Sequence, residues 1–378
     1  MRILHTSDWH LGKRLYKLDR SPEHELFLDW LLKTLIDQKV DLLLIAGDIF
    51  DTPTPPHQSL ELFYNFLYRV SKETKAEVFM IAGNHDSGLL LEAPAKILEG
   101  HRVRVWGKLS SSISDHWIRF QNIDICALPF FRSYELLADG EGDALSAIRN
   151  YITKPKERPQ LLMLHHLAGI HEAGGSEQVI TLSGVDSIPT EDLKIFDYVA
   201  LGHIHKPQKI APQSYYSGSP LLLRFSETTK KSVILIEEEA GQLHPRTLPI
   251  PVFRDFFTIK TNEKEYQSEL ENIQSTSTLT PMVEVQIELA SPKVGLIDHI
   301  KEILQKKNME LLSYQPLFLT GEKKEKRSDK IFKLSPLELF EEFYMTKFPE
   351  SEGLPVDLKE DFTKLLEKVK DAHSSPKN

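Results

Sequence analysis

Short apolar runs alternate with amphipathic stretches along the first 250 residues of the chain. This alternation is typical of a layered α/β domain, in which helices cover a sheet of buried strands. The pattern predicts strands over residues 2–5, 41–46 and 77–82, helices over 23–38 and 58–72, and later buried strands over 123–128, 161–164, 198–201 and 233–236. We therefore expect a sheet core covered by helices.

From about residue 253 the pattern changes to that of a smaller α+β unit. It predicts strands over residues 253–260, 282–289 and 310–314, with helices over 263–273 and 293–305. These strands do not end in a polar cluster of a catalytic type, so we expect the reaction chemistry to lie in the first part of the chain.

The C-terminal part begins with a charged stretch, EKKEKRSDK at residues 322–330, which predicts a solvated linker. Ser335 and Pro336 have the residue types of a helix N-cap and a first helical position. The helix predicted after them is apolar on more than one face, because it concentrates Leu337, Leu339, Phe340, Phe343, Tyr344 and Phe348. A second helix is predicted over residues 356–370. The expected organisation is a domain at 1–250, a domain at 253–320, a linker at 321–334 and helices at 335–373.

Composition favours a soluble globular protein with more than one domain. The chain has 378 residues, of which 40% are hydrophobic and 27% are charged. No apolar run approaches the ~18 to 20 residues that cross a bilayer, and the N-terminus lacks the apolar core of a signal peptide, so we expect a cytoplasmic protein. The single Cys126 agrees with a reducing compartment and excludes a cysteine metal site. Any metal must therefore bind His, Asp, Glu or Asn.

The net charge of −9 weakens the hypothesis of a broadly basic surface that binds nucleic acid. It does not exclude nucleic acid as a partner, because bound cations can make one site positive in an acidic protein. The local chemistry of the chain therefore decides the question.

Five of the apolar runs end in residues that can bind a metal ion. In an α/β sheet, ligands collect at the carboxyl ends of the strands, so we expect these residues to meet there. The seven candidate ligands are Asp8, His10, Asp48, Asn84, His166, His203 and His205. The i,i+2 spacing within the DxH and HxH pairs would place each pair on one side of extended backbone. Gly47, Gly83 and Gly202 each precede a polar residue and would allow a sharp exit from the strand.

The donor types suggest two divalent ions. Imidazole, carboxylate and amide oxygen without thiolate suit Mn²⁺, Fe²⁺ or Zn²⁺. Seven ligands form two sets of four if one carboxylate is shared, and Asp48 is the natural bridge. Two metal ions can activate water and clamp the oxygens of an in-line displacement at phosphorus. His85 has no obvious metal to bind, so it could protonate the leaving group, with Asp86 orienting it.

Each of these signals also has a simpler interpretation. GNHD at residues 83–86 could be a capped turn, and the basic loop at 13–17 is as consistent with solvation as with phosphate contacts. Strand alternation sends the rings of His165 and His166 in opposite directions, and we favour His166 as the ligand. The coincidence of five such strand ends favours a metal centre over the simpler interpretations.

The motifs HTSDWHLG, GDIFD, GNHD, HH and GHIH, in this order and spacing, resemble those of the calcineurin-like metallophosphoesterases. LHTSDWHLGK at residues 4–13, GDIFDTP, and YYSGSP at 215–220 are similar to a nuclease branch of that family that works in DNA repair. The resemblance is strong over residues 1–250. Over the remainder it rests on the predicted order of domains, helices and strands and not on sequence motifs. It implies an α/β fold with a four-layer β-sandwich flanked by helices, a small α+β capping domain and C-terminal helices.

The resemblance also implies a role for each matching position. One Mn²⁺ would be held by Asp8, His10, Asp48 and His205. The other would be held by Asp48, Asn84, His166 and His203, with Mg²⁺, Fe²⁺ or Zn²⁺ as alternatives to manganese. His85 would be the catalytic histidine.

The partners implied by the resemblance are DNA and an ATPase. The small domain would cap the nuclease face and help to select DNA. The C-terminal helices would dock on a coiled-coil ABC-type ATPase through Leu337, Phe340, Phe343 and Tyr344. The nuclease chain would form a homodimer within a heterotetramer.

Two departures from the family pattern affect the expected substrate. Protein phosphatases of the family carry an Arg soon after the GD pair to bind a terminal phosphate, whereas Ile49 and Phe50 follow here, which favours a diester. Some archaeal relatives have a second histidine where Asp51 stands, so a two-histidine mechanism is not expected.

The leading hypothesis is therefore a Mn²⁺-dependent DNA nuclease with double-strand exonuclease and single-strand endonuclease activity, working in an ATP-dependent complex. The alternative is a small-molecule or cyclic-nucleotide phosphodiesterase, which would need no partner. A scaffold that keeps the fold without the chemistry would lack ligands, and none of the seven is missing.

Overall fold

The structure is a computed structural model that describes all residues except 17, 137–143, 170–171, 173–186, 226, 228–229, 319–335, 348–352, 357, 360 and 365–378. The strands are β1 (Arg2–Thr6), β2 (Arg14–Leu15), β3 (Leu18–Asp19), β4 (Leu42–Ala46), β5 (Glu77–Ile81), β6 (Val103–Trp106), β7 (Trp117–Phe120), β8 (Ile123–Leu128), β9 (Gln160–His165), β10 (Tyr198–Gly202), β11 (Gln208–Ala211), β12 (Ser214–Tyr216), β13 (Ser232–Glu239), β14 (Gln242–Pro249), β15 (Phe256–Asn262), β16 (Met282–Leu289) and β17 (Glu310–Phe318). The helices are α1 (Ser21–Asp37), α2 (His57–Glu73), α3 (Gly88–Glu92), α4 (Ala95–Glu99), α5 (Ser133–Leu136), α6 (Ala144–Ile152), α7 (Thr190–Leu193), α8 (Tyr266–Asn272), α9 (Leu296–Lys306) and α10 (Pro336–Lys347).

Two six-stranded sheets are built from the first 250 residues. Their strand orders are β14-β13-β1-β4-β5-β6 and β11-β12-β10-β9-β8-β7. The strands β1, β4, β5 and β6 run parallel, as do β8, β9, β10 and β12. Parallel sheets are buried on both faces, which explains why LLLIA at 42–46 and LLML at 161–164 are apolar at every position.

Hydrophobic clusters on both faces of each sheet define four layers. Leu44 and Met163 pack in the cluster between the two sheets. Phe27 of α1 and Phe63 of α2 pack on the outer face of the first sheet. Ile148 of α6 packs on the outer face of the second. The expected four-layer β-sandwich flanked by helices is confirmed.

A smaller three-stranded sheet follows, in the order β15-β16-β17. The helices α8 and α9 cover it, with Val285 and Ile300 in the shared core. These elements match the α+β succession predicted from residue 253. Glu23 of α1 accepts hydrogen bonds from Nε of Arg20 at 2.6 Å and from Nε of Arg254 at 2.8 Å, so a buried charge cluster ties the start of this sheet to α1.

The described residues fall into two compact units. The first comprises Met1–Leu289 and Lys293–Leu317, and the second comprises Ala290–Pro292 and the described residues from Phe318 onwards. In the second unit Phe340 of α10 stacks on Phe362 with ring centroids 4.1 Å apart, whereas the Phe343 side chain is 59% exposed. The predicted linker at 321–334 lies outside the described residues, and the boundary between residues 250 and 253 stays a prediction.

The apolar pattern alone does not predict β6, β7, β11, β12 or β14. These strands lie at or next to the edges of the two sheets. All of them except the three-residue β12 contain exposed positions that interrupt the apolar run. Among the helices that the structure describes, none has the length and apolarity needed to cross a membrane.

Candidate metal centre

Loops that follow five parallel strands bring polar side chains together. Asp8 and His10 follow β1, Asp48 follows β4, and Asn84 follows β5. On the second sheet, His165 ends β9, while His203 and His205 follow β10. All of these side chains are buried except that of Asn84, which is partly exposed. The strand ends therefore meet as the sequence predicted.

The first group of donor atoms comes from Asp8, His10, Asp48 and His205. One donor atom of each lies within 4.8 Å of the others. Nε2 of His10 lies 3.1 Å from Nε2 of His205 and 3.6 Å from Oδ2 of Asp48. Nε2 of His205 lies 3.9 Å from Oδ1 of Asp8. Two imidazoles and two carboxylates that face one another are a donor set for a divalent ion of borderline hardness.

The second group forms around the side-chain oxygen of Asn84. This oxygen lies 2.8 Å from Nδ1 of His203 and 3.1 Å from Nε2 of His165. Nε2 of His165 lies 3.4 Å from Oδ2 of Asp48. The same carboxylate oxygen of Asp48 thus faces one imidazole from each group, which is the position that a bridging ligand requires.

The chemistry of these donors fits two divalent ions. Asp8 and Asp48 are 0% and 1% exposed. In the described part of the chain, the cationic groups paired with them are imidazoles and not lysine or arginine. Buried carboxylates without a permanent cation are costly, and metal ions would offset that cost.

Burial and pairing set the pKa values of these groups. Burial raises the pKa of Asp8 to about 6. Burial also raises the pKa of Asp48, but the charge and hydrogen bond of His165 and the charges of His10 and His85 together outweigh burial and lower this pKa overall. For His165, burial lowers the pKa, but the charges of Asp48 and Asp8 and the hydrogen bonds to Asp48 and to the carbonyl of Ala46 together outweigh burial and raise the pKa to about 9. Metal ions need ionised carboxylates and neutral imidazoles, so they would compete with these protons.

The backbone of the centre adopts left-handed conformations at four candidate ligands. The angle φ is 54° at Asp8, 48° at His10, 51° at Asp48 and 95° at His203. Such angles are uncommon outside glycine, and they cluster at functional sites. The expectation that the DxH and HxH pairs use extended backbone is therefore wrong, because each pair follows its strand in a strained loop.

The glycines before the ligands have two different functions. Gly47 has φ of +86°, so it makes the sharp exit that the sequence suggested. At Gly83 and Gly202 the reason is space, because an added Cβ would collide with Asp48 and with the carbonyl oxygen of Ala46, respectively.

The structure places His165 and not His166 in the cluster, so the preference for His166 is wrong. Nε2 of His166 accepts a hydrogen bond from the amide of Phe131 at 3.2 Å. Its ring lies against Phe130 and Phe131, with centroids 4.9 and 4.1 Å away. On β9, Met163 faces the cluster between the sheets, so His165 continues on that face while His166 continues on the outer face.

His85 lies beside the first group with its ring centroid 4.9 Å from that of His10. Its backbone amide donates to Oδ1 of Asp48 at 2.9 Å, and its Nδ1 lies 2.8 Å from the carbonyl oxygen of Asp51. A carbonyl oxygen only accepts, so Nδ1 of His85 carries the hydrogen in this contact. Nε2 is then the atom that can hold or give a proton to a substrate.

Asp86 does not orient His85 in this arrangement. Its carboxylate accepts hydrogen bonds from the amides of Gly83 at 2.9 Å, Ile49 at 3.1 Å and Phe50 at 2.9 Å. It therefore ties the loop after β5 to the loop after β4, which positions Asn84 and Asp48 together.

Lys13 and the side chain of Asp51 also lie beside this centre, although neither is among the seven ligands that the sequence predicts. Oδ1 of Asp51 lies 2.9 Å from Nζ of Lys13 and 3.3 Å from Nδ1 of His10. The signal available in the sequence is the spacing, because Asp51 follows Asp48 by three residues in a turn and Lys13 follows His10 by three.

Substitution of each of the two adjacent histidines is expected to separate their functions. His165→Ala should reduce the bound metal from two ions per chain towards one and weaken the affinity for added Mn²⁺ by at least about 10-fold. His166→Ala should retain both ions and lose about 1–3 kcal/mol of unfolding free energy, because it removes a buried ring that packs on two phenyl groups. Metal content by mass spectrometry and thermal unfolding measure the two effects. Equal metal loss in both variants would contradict this assignment.

Two family models match the chain. One, described as calcineurin-like phosphoesterase, matches residues 1–207. The other, described as type 5 capsule protein repressor C-terminal domain, matches residues 252–348.

Three relatives, each named as the D component of the nuclease SbcCD, are similar to most of the chain. The Escherichia coli K12 relative is 30% identical over 324 residues, which are 77% of this chain and 78% of the relative. The Rhodobacter capsulatus relative is 33% identical over 281 residues, with coverage of 66% and 69%. The Bacillus subtilis relative is 32% identical over 275 residues, with coverage of 64% and 67%.

Proposed function

The chain belongs to the calcineurin-like phosphoesterase family, in the group of SbcD nucleases, and from this premise we propose that it is a metal-dependent DNA nuclease of the SbcCD type. Its reaction is the hydrolysis of phosphodiester bonds, as a double-strand exonuclease and a single-strand endonuclease. It acts in DNA end processing and repair with an SbcC-type ATPase. The single observation that supports this function is the buried cluster of donor atoms around Asp48.

Two Mn²⁺ ions are the proposed cofactors. One is held by Asp8, His10, Asp48 and His205, and the other by Asp48, Asn84, His165 and His203. When bound, such ions supply Lewis acidity that activates water and offsets charge on the phosphoryl oxygens. Mg²⁺, Fe²⁺ and Zn²⁺ are the alternatives that the same donors can bind.

The protein's own residues position and protonate the substrate. His85 gives the proton on Nε2 to the leaving oxygen, while the carbonyl of Asp51 keeps its other ring nitrogen protonated. Asp86 holds the two loops that carry Asn84 and Asp48 in register. Ile49 and Phe50 supply no cation for a terminal phosphate after the GD pair, which favours a phosphodiester over a terminal phosphate monoester as the substrate.

The remainder of the chain is proposed to select DNA and to bind the ATPase. The sheet β15-β16-β17 caps the nuclease face. On α10, Phe343 is the exposed aromatic side chain that contacts the ATPase, together with Leu337 and Tyr344. Phe340 stacks on Phe362 of the same unit and supports the helix. Two copies of the nuclease chain form the homodimer of a heterotetramer.

A substrate panel tests this function. The full chain, alone and coexpressed with an SbcC-type ATPase, is assayed in Mn²⁺ on linear duplex DNA, circular single strands, bis-p-nitrophenyl phosphate and cyclic nucleotides. We expect the chain to hydrolyse the nitrophenyl diester and the complex to cleave DNA faster with ATP than without it. Hydrolysis of cyclic nucleotides without cleavage of DNA in any complex would instead establish the small-substrate alternative.

A variant of α10 separates catalysis from partner binding in the same panel. Phe343→Glu should keep the hydrolysis of the nitrophenyl diester and lose both copurification with the ATPase and stimulation by ATP. Ile97→Glu, which changes an exposed apolar side chain on α4, is the matched control and should behave like the wild type. Loss of copurification in both variants would contradict a specific role for α10.

A further inference from the structure

An aromatic side chain stands at the tip of the β2–β3 hairpin. Leu15 pairs with Leu18, so Tyr16 is the first of the two residues that connect the strands. Its φ is 54° and its side chain is 56% exposed. Two-residue hairpin turns favour Asn, Asp or Gly at positions with positive φ, and a bulky residue there is unfavourable. Residues with strained backbone conformations cluster at functional sites, so this exposed aromatic side chain is a candidate ligand contact.

Contacts from two sides fix the position of Tyr16. Its hydroxyl donates to Oε1 of Glu284 on β16 at 3.3 Å. Glu284 is buried, and its carboxylate also accepts hydrogen bonds from Gln286 and Gln315 at 3.2 Å each. The ring centroids of Phe225 and Tyr16 are 6.2 Å apart. The tyrosine is thus held in place while more than half of its side chain remains available for a ligand.

Tyr16 and Phe225 line an open cavity of about 470 Å³. Arg224 and Gln286 also line it, and Arg224 is exposed. Aromatic rings stack on nucleobases, guanidinium groups bind phosphate, and an amide can bond to a base edge. This combination fits a nucleotide better than a sugar or a lipid chain.

The cavity lies close to the metal centre along two segments of the chain. Tyr16 follows His10 by six residues, which can span at most about 21 Å. On the other side, the amide of Ser219 donates to the carbonyl of His205 at 3.1 Å, and Phe225 follows Ser219 by six residues. A DNA strand held at the metal centre can therefore reach the cavity within a few nucleotides.

We propose that Tyr16 and Phe225 form a stacking site for an unpaired base of the DNA strand whose scissile phosphate lies at the metal centre, with Arg224 contacting an adjoining phosphate. The inference rests on the proposed function and specifies its substrate as a frayed or single-stranded segment. Bases within an intact duplex are already stacked on their neighbours and cannot enter such a site. Stacking accepts every base, so the site selects unpaired DNA without a sequence preference.

Fluorescence of 2-aminopurine tests this site directly. The full chain in Mn²⁺ is titrated with single-stranded, phosphorothioate-protected oligonucleotides that carry 2-aminopurine at successive positions. The wild type and Tyr16→Phe should quench the fluorophore at one or two positions. Tyr16→Asn, which suits positive φ but lacks the ring, should not quench it and should bind about 5- to 150-fold more weakly. Tyr68→Ala, which removes a tyrosine that is 55% exposed on α2, is the matched control and should bind like the wild type.

Two results would overturn the proposal. One is wild-type quenching and affinity in Tyr16→Asn. The other is a loss in Tyr16→Phe as large as that in Tyr16→Asn, because this would assign the effect to the hydrogen bond with Glu284. Cleavage of unprotected DNA by the wild-type chain in complex with the SbcC-type ATPase separates the two levels of inference. If that complex does not cleave DNA, the proposed nuclease function fails. If it does, only the stacking site is under test.

Discussion

Asp48→Asn is expected to abolish DNA cleavage and to release both metal ions together. The substitution keeps the size of the side chain but removes its charge and one of its acceptor oxygens. Oδ2 of Asp48 lies 3.6 Å from Nε2 of His10 and 3.4 Å from Nε2 of His165, so it serves both groups of ligands. We expect kcat/KM to fall at least about 10³-fold, which corresponds to about 4 kcal/mol of transition-state stabilisation.

Metal content and thermal unfolding distinguish this loss from misfolding. Metal ions that bind the native state raise its melting temperature, so added Mn²⁺ should stabilise the wild type and not Asp48→Asn. The matched control is Asp124→Asn on β8, which changes another buried aspartate that pairs with Arg119 and Lys154 away from the centre. This control should keep both ions and its response to Mn²⁺. Two retained ions with wild-type turnover in Asp48→Asn would contradict the bridging role.

The location of the centre can be predicted from the sequence, because the burial of the strands and the topology of the sheets both indicate the strand ends. Parallel strands buried on both faces read as uninterrupted apolar runs, so the polar residue that ends each run is conspicuous in the sequence. The right-handed crossovers that join such strands place their carboxyl ends on one side of the sheet. Asp8, Asp48 and Asn84 were therefore identifiable from three separate motifs without knowledge of their distances.

The choice between His165 and His166 was not predictable for the same reason. LLML before them is apolar at every position, so the strand carries no alternation that reveals which side faces the other sheet. Which residues of this strand face the other sheet is decided only when the two sheets pack together, with Met163 between them. The sequence could establish that the two rings diverge but not which ring meets Asp48.

The backbone conformation of the loops could not be predicted from the sequence, because it depends on contacts with residues far away along the chain. The amide of Asp8 donates to the carbonyl of Gly47 at 3.0 Å, and the amide of His10 donates to the carbonyl of Asp48 at 3.0 Å. These bonds hold both residues at positive φ, which their local sequence does not favour. Asp86 likewise accepts hydrogen bonds from amides of a loop 36 residues earlier. Its position next to His85 in the sequence therefore suggests the wrong partner.

His85→Ala is expected to lower kcat for DNA by about 10² to 10⁴ while both metal ions remain bound. The ring lies beside the first group of ligands, but its Nδ1 is occupied by the carbonyl of Asp51, which leaves only Nε2 for proton transfer. The backbone amide of His85 still donates to Asp48 in the variant, so the bridging carboxylate should keep its position. Metal content should therefore match that of the wild type.

The nature of the leaving group provides the sharpest measurement of this role. The leaving oxygen of DNA needs a proton, whereas p-nitrophenolate is already stable as an anion and leaves without one. His85→Ala should therefore lose far more activity on DNA than on bis-p-nitrophenyl phosphate, with KM for both substrates less affected than kcat. His57→Ala, which removes an exposed histidine at the first position of α2, is the control. Equal losses on the two substrates would show that His85 acts on a step other than protonation of the leaving group, and the assignment of its Nε2 as the proton donor would then fail.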